Sequence, residues 1–166
     1  MNILAIDTAG KTAAVAVMRD DTLLYEMASN TGLTHSETLL PMVDTALKAC
    51  GLTPAQLDLY AVTNGPGSFT GLRIGIAAIK GLAFPDNTPC IGVSTPEAIA
   101  YGLLGFEGIV IPMMDARCGQ VYTALFQGKD GCLTRLSEDE ALPLSELKEK
   151  LKSCTGPLWL LSLIHI

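Results

Sequence analysis

The chain has 166 residues, of which 49% are apolar and 17% charged. That composition supports a buried core and excludes bulk disorder, and the length suits one compact domain or two small lobes. Eleven basic against seventeen acidic residues leave a net charge of −6, which excludes strong stand-alone binding to nucleic acid, since that needs a basic face.

Mean hydropathy is +0.37, so a membrane span is the first alternative to weigh. No apolar run approaches the roughly 20 residues a helical span needs, and the richest stretch, residues 74–84, is cut by Lys80. The first residues carry no basic segment and meet Asp7 early. They therefore do not read as a signal peptide, and a cytoplasmic location is expected. The five cysteines (50, 90, 118, 132 and 154) are scattered without a CxxC pair, as suits reduced thiols rather than a disulfide frame or zinc site. His35 and His165 are the only histidines, too few for a multi-histidine metal centre.

Residues 2–8 read as a buried strand, followed by strands at 12–18 and 22–28 across the turns Ala9-Gly10-Lys11 and Arg19-Asp20-Asp21. Short spacing with turn chemistry predicts an antiparallel meander. Thr34-His35-Ser36-Glu37 has the form of a capping box, so His35 reads as a residue of a helix start. Apolar residues at helical spacing run on to Cys50, and Gly51 sits where a C-cap glycine belongs. A strand at 59–64 leads through Gly65-Pro66-Gly67-Ser68-Phe69-Thr70-Gly71 into a helix over 72–84. A short strand at 89–93 and a helix from Ser94 to about Leu104 complete a first lobe, residues 1–105. Helices between strands favour mixed sheets covered by helices, an α/β fold.

The second half repeats the order. A strand at 109–114 ends at Asp115, strands follow at 120–127 and 132–137, Ser145 caps a helix to Leu151, and a strand begins at 158. The pattern predicts an internal duplication of architecture, with a boundary near residues 105–108. The second lobe, residues 106–166, reads as cut short after its fourth strand. Its last residues, Ser162-Leu163-Ile164-His165-Ile166, show neither charge nor turn chemistry. They read as foreign to the fold, and His165 is given no role.

Three features carry open alternatives. The glycine-rich loop is not a P-loop, because no Gly-Lys-Ser/Thr follows. It is either a turn that lets helix and sheet approach closely or a set of amides aimed at an anion. Asp7 and Asp115 end matching strands; they either hold a magnesium ion with phosphates or cap their own turns. The 72–84 helix is apolar on nearly all faces, so it is internal or pressed against a partner.

Ile3-Leu4-Ala5-Ile6-Asp7-Thr8, His35-Ser36-Glu37-Thr38-Leu39-Leu40-Pro41, Gly65-Pro66-Gly67-Ser68-Phe69-Thr70-Gly71-Leu72-Arg73-Ile74-Gly75, Gly92-Val93-Ser94-Thr95 and Met114-Asp115-Ala116-Arg117 with Gln120-Val121-Tyr122 occur in that order. In these motifs the chain resembles the TsaB (YeaZ) family, to about residue 160. The resemblance implies an actin-like, ASKHA-type (RNase H-like) fold of two lobes. It implies a non-catalytic subunit that assists the paralogue TsaD, together with TsaE, in making threonylcarbamoyladenosine beside the anticodon of tRNAs that read codons beginning with A. TsaD holds a metal through an H-x-x-x-H pair, which falls here at Thr95 and Ile99. Neither replaces a histidine ligand, so the resemblance implies no metal and no catalytic residue in this chain. A peptidase reading loses its basis with them.

The family pairs, as homodimers and with TsaD, through N-lobe helices. The candidate interface residues so implied are Leu39, Val43, Leu72, Arg73, Ile76, Ile79 and Lys80. ATP or ADP would bind at the interface with the partner rather than as a cofactor of the chain's own. Asp7, Thr8, Gly65, Gly67, Ser68 and Asp115 are the candidate nucleotide or anion residues, and tRNA would be met only through the complex. Where family members often have a second arginine after the Asp-Ala-Arg motif, this chain has Cys118. The alternative function is a small actin-like phosphotransferase acting on ATP through Asp7 and Asp115.

Overall fold

A computed structural model describes residues 1–162. The expectation for the last residues, His165 included, concerns positions beyond Ser162 and lies outside the described residues. The chain divides into two compact units, the first Met1–Val93 and the second from Ser94 onward. This differs from the expected boundary near residue 105. The helix after Ser94 packs on the first long strand of the second unit, so its residues belong there and not with the first lobe.

In the first unit, β1 (Asn2–Asp7), β2 (Ala13–Arg19) and β3 (Thr22–Ser29) form the expected meander. Helix α1 (His35–Ala49), β4 (Leu59–Gly65), α2 (Phe69–Ala83) and β5 (Cys90–Ser94) follow. The sheet order is β3-β2-β1-β4-β5, with β1 antiparallel to β2 and parallel to β4. Alternation along the strands turns Leu4, Ile6, Val15, Val17, Tyr60 and Val62 into one buried cluster with Leu39, Val43, Leu47 and Ile79 of the two helices. Helix α1 starts as expected, the Glu37 carboxylate accepting from the Thr34 N–H at 3.0 Å. It ends at Gly51, whose φ of +64° is the left-handed turn that glycine tolerates.

The second unit contains α3 (Thr95–Ala100), β6 (Gly108–Arg117), β7 (Gln120–Thr123), β8 (Phe126–Lys129), β9 (Cys132–Arg135), β10 (Glu140–Pro143), α4 (Leu144–Leu151) and β11 (Leu158–Ser162). β6 is buried on both faces, which is why it reads as an unbroken apolar run. Ile109, Ile111 and Met113 face the cluster that holds Leu147 of α4, and Val110 faces the cluster that holds Ala100 of α3.

The expected single strand at 120–127 is instead two, β7 and β8, both antiparallel to β6. The break falls beside Pro112, which has no N–H to offer a ladder and whose carbonyl accepts from the Thr123 hydroxyl at 2.8 Å. Ser137 fills the gap, its Oγ accepting from Leu125 N–H at 3.0 Å. β10 is an additional strand, and the α4 cap position falls on Pro143 rather than Ser145. The duplication holds at the level of pairing. Each unit's central strand, β1 or β6, runs antiparallel to the strand that follows it and parallel to a later one, β4 or β11. Among the described residues no helix is long and apolar enough to cross a membrane.

Candidate functional site

The end of β1, the start of α1 and the start of α2 meet at one junction. Ser68 caps α2, its Oγ accepting from Gly71 N–H at 3.2 Å, so the helix begins at Phe69 rather than at residue 72. Ser68 N–H donates to Ala9 O at 2.7 Å, and the buried Thr8 hydroxyl donates to Gly71 O at 2.8 Å. A Cβ on Gly67 would lie 2.7 Å from Ala9 O, and one on Gly71 would overlap Thr8 O. His35 closes the third side, its Nε2 lying 3.0 Å from Gly10 O. The glycines thus serve the first of the two readings of the loop, close approach of helix to strand end. As an anion cradle, Gly65, Gly67 and Ser68 lose part of what the reading needs. The amides of Ser68, Gly71 and Leu72 are already taken within the protein.

Asp7 is half-buried and fixed. Its Oδ1 accepts from Ala9 N–H at 2.8 Å and from the Thr63 hydroxyl at 2.7 Å, a partner the sequence pattern did not reveal. Asp115 is exposed and makes the same turn in the second unit, accepting from Arg117 N–H at 2.7 Å. Both aspartates therefore cap turns.

Thr95 and Ile99 lie on α3. Thr95 is 1% exposed, and its hydroxyl is buried without a hydrogen-bond partner. The charged side chain of this helix, Glu97, is held by Arg135 at 2.9 Å, and Arg135 also binds Asp139 at 2.7 Å. The Ser94 hydroxyl, which caps α3, donates to that same Asp139 oxygen. Burial works against the Arg135 charge, but the bonds from Asp139 and Glu97 outweigh it and hold the guanidinium above its ordinary range. Among the described residues no three His, Cys, Asp or Glu side chains gather as a metal-binding group.

The interface candidates separate by burial. Leu39, Val43 and Ile79 are 1%, 3% and 1% exposed and belong to the core, which corrects their assignment as contact residues: they face the sheet of their own unit. Leu72 and Ile76 are half-buried, and Arg73 and Lys80 are exposed. Three further residues of this face were missed. Phe69 (73% exposed) and Phe84 (85%) stand at its two ends, with Ala77 exposed between them. At 100° per residue, Phe69, Arg73, Ala77, Lys80 and Phe84 fall on one line along α2. Starting the helix at its Ser68 cap adds Phe69 to the line of Arg73 and Lys80, but the helical period does not say that this line faces outward. The Arg73 guanidinium lies 5.2 Å from the Phe69 ring centre, a cation–π contact.

Two units built on the same strand pairing, the first with a glycine loop packed on the end of its first strand, define a two-lobe, actin-like α/β protein. The family model for TsaD, tRNA N6-adenosine threonylcarbamoyltransferase, matches residues 28–152. The chain is 39% identical over 158 residues to the tRNA threonylcarbamoyladenosine biosynthesis protein TsaB of Bacillus subtilis, covering 95% of this chain and 69% of that one. It is 37% identical to the protein of the same name from Escherichia coli, covering 94% and 68%. YeaZ from Pseudomonas aeruginosa superposes with a TM-score of 0.78 at 28% identity, over 94% of this chain and 70% of that one. The chain belongs to the TsaB (YeaZ) family.

Proposed function

We propose that this chain takes part in threonylcarbamoyladenosine biosynthesis on tRNA as a non-catalytic subunit that pairs with a TsaD-type protein. TsaE would be a further member of the assembly, and nucleotide would be met at the paired surface. The observation that carries the proposal is the 39% identity to a protein named for this pathway over nearly the whole chain. The side chains on α3 support the non-catalytic part. Thr95 and Ile99 stand where the paralogue has its histidine pair, and the neighbouring carboxylates of Glu97 and Asp139 are engaged by Arg135. The contact surface is the exposed line of α2, because an aromatic residue at each end and two cations near the middle suit a protein interface.

Two experiments test this. Deletion of the gene is expected to remove threonylcarbamoyladenosine from digested tRNA, read by mass spectrometry, and the chain supplied in trans restores it. A pull-down with the TsaD-type protein of the same genome is expected to retain the chain, and Ala77→Glu to release it at an unchanged melting temperature. Product formation by the purified chain alone, with tRNA and the activated carbamoyl donor, overturns the non-catalytic assignment. The phosphotransferase alternative would show as ATP turnover lost in Asp7→Ala.

A further inference from the structure

We infer that Arg135 is the resident cation of α3: its guanidinium cross-links this helix as a bound divalent ion would, and its presence keeps such an ion out. The inference rests on the non-catalytic reading, in which α3 is the helix that lacks a metal-binding pair, and adds what holds the helix instead.

The residues at the pair's positions do not fit a metal. Ile99 has no lone pair to give. The Thr95 hydroxyl is buried, neutral and without a hydrogen-bond partner, and one such donor is too weak to hold an ion that takes several ligands. Thr95 and Ile99 stand four positions apart on one line of α3. Glu97, two positions from each, lies about 200° around the helix from that line.

Hard oxygen donors do gather around Glu97, and a cation of the chain's own already sits among them. Arg135 Nη2 donates to Glu97 Oε2 at 2.9 Å. Its Nη1 donates to Asp139 Oδ1 at 2.7 Å and to Ser137 O at 3.2 Å. Ser94 extends the group, its Oγ accepting from Glu97 N–H at 3.2 Å and donating to Asp139 Oδ1 at 3.0 Å. Two carboxylates, a carbonyl and a hydroxyl are donors of the kind that calcium or manganese takes. Here one guanidinium serves them. The bonds join segments 38 and 45 residues apart, all within the second unit. By contrast, Lys48–Asp44 and Lys152–Glu149 join side chains one helical turn apart.

The seat also suits a guanidinium better than a free ion. The Arg135 Cζ lies 4.8 Å over the ring of Phe126, which is itself buried. A guanidinium is weakly hydrated and stacks on an aromatic face, whereas a small divalent ion gives up its water reluctantly. Arg135 is therefore a positioning residue: it fixes α3 against the segment between β9 and β10 without drawing on any ion in solution.

The test replaces the cation. Arg135→Met removes the charge and keeps a flexible apolar side chain to cover the Phe126 ring. Thermal melts compare wild type, Arg135→Met and Arg135→Met/Glu97→Gln/Asp139→Asn in EDTA, in millimolar CaCl2 or MnCl2, and in NaCl of matched ionic strength. Wild type is expected to melt at one temperature throughout. Arg135→Met is expected to melt about 2–4 °C lower in EDTA, and to regain at least half of that with the divalent ions but not with NaCl. The triple variant is expected to ignore them. Arg135→Lys, which keeps a charge, is expected to fall between wild type and Arg135→Met in both respects, and carries the comparison if Arg135→Met does not fold. Electron paramagnetic resonance of manganese is expected to show an ion bound to Arg135→Met and none to wild type.

Divalent ions that raise every variant alike act on the net acidic surface and overturn the inference. So does an Arg135→Met chain that they leave unchanged, or a wild type that loses stability in EDTA. None of these readouts uses tRNA or the TsaD-type protein, so the pathway assignment stands or falls separately.

Discussion

Thr8, Gly71 and Ile79 show how closely the α2 assignment depends on single side chains. Gly71 is pressed against Thr8 O, and the Thr8 hydroxyl donates to Gly71 O, so helix and strand end touch through backbone. Gly71→Ala must push them apart and is expected to cost about 1–3 kcal/mol by overpacking. Urea denaturation would measure it. Thr8→Val removes only the donor and is expected to cost about 1 kcal/mol. Ile79 faces the sheet, and Ile79→Ala is expected to cost about 2–5 kcal/mol with no specific effect on pairing. The contrast with Ala77→Glu, which should affect pairing and leave stability unchanged, separates the two faces of one helix.

At the scale of elements, the start of α1 and the start of α3 are held by charge. Glu37 accepts from the Thr34 hydroxyl and then from the Thr34 N–H, and these bonds lower its pKa below the ordinary glutamate range. A lowered carboxyl contributes fully above that ordinary range, and the contribution disappears as pH falls through the lowered value. Amide exchange in the first turn of α1 is therefore expected to accelerate in acid, and Glu37→Gln to flatten that dependence.

The α3 clamp has a different character. Arg135 joins Glu97, Asp139 and the Ser137 carbonyl, and its guanidinium lies 4.8 Å from the Phe126 ring centre. Arg135→Met leaves two carboxylates without a cation. The group is partly exposed, so the expected loss is about 1 kcal/mol, screened by salt. Thermal melts at low and high NaCl would read it. β6 depends on neither device, since both of its faces are packed.

For the whole molecule, each unit has its own sheet and its own buried clusters. The buried core of the first unit is formed by β1, β2 and β4 with two helices packed on them, and the second helix carries the proposed contact line on its outer surface. On the proposed function, catalytic chemistry is expected from the assembly and not from this subunit. The prediction at this scale is genetic: a strain carrying the Arg73→Glu/Lys80→Glu chain is expected to lose modified nucleoside nearly as fully as the deletion. A strain carrying Asp115→Ala is expected to retain it. Quantified nucleosides from digested tRNA decide both.

The sequence by itself determined the order of elements in the first unit, the capping of α1, the lobe duplication and the family. These rest on local information: periodicity of 2 or 3.6, turn residues, and a loop motif of high specificity. The tertiary structure alone decided which side of a uniformly apolar helix faces inward. Periodicity cannot orient such a helix, because apolar residues lie all round it. Packing placed Ile79 against the sheet and left Phe69 and Phe84 outside. Contacts between distant segments also decided the break opposite Pro112, the Thr63 hydroxyl on Asp7 and the lobe boundary at Ser94. Each depends on residues far apart in the chain that only the fold brings together.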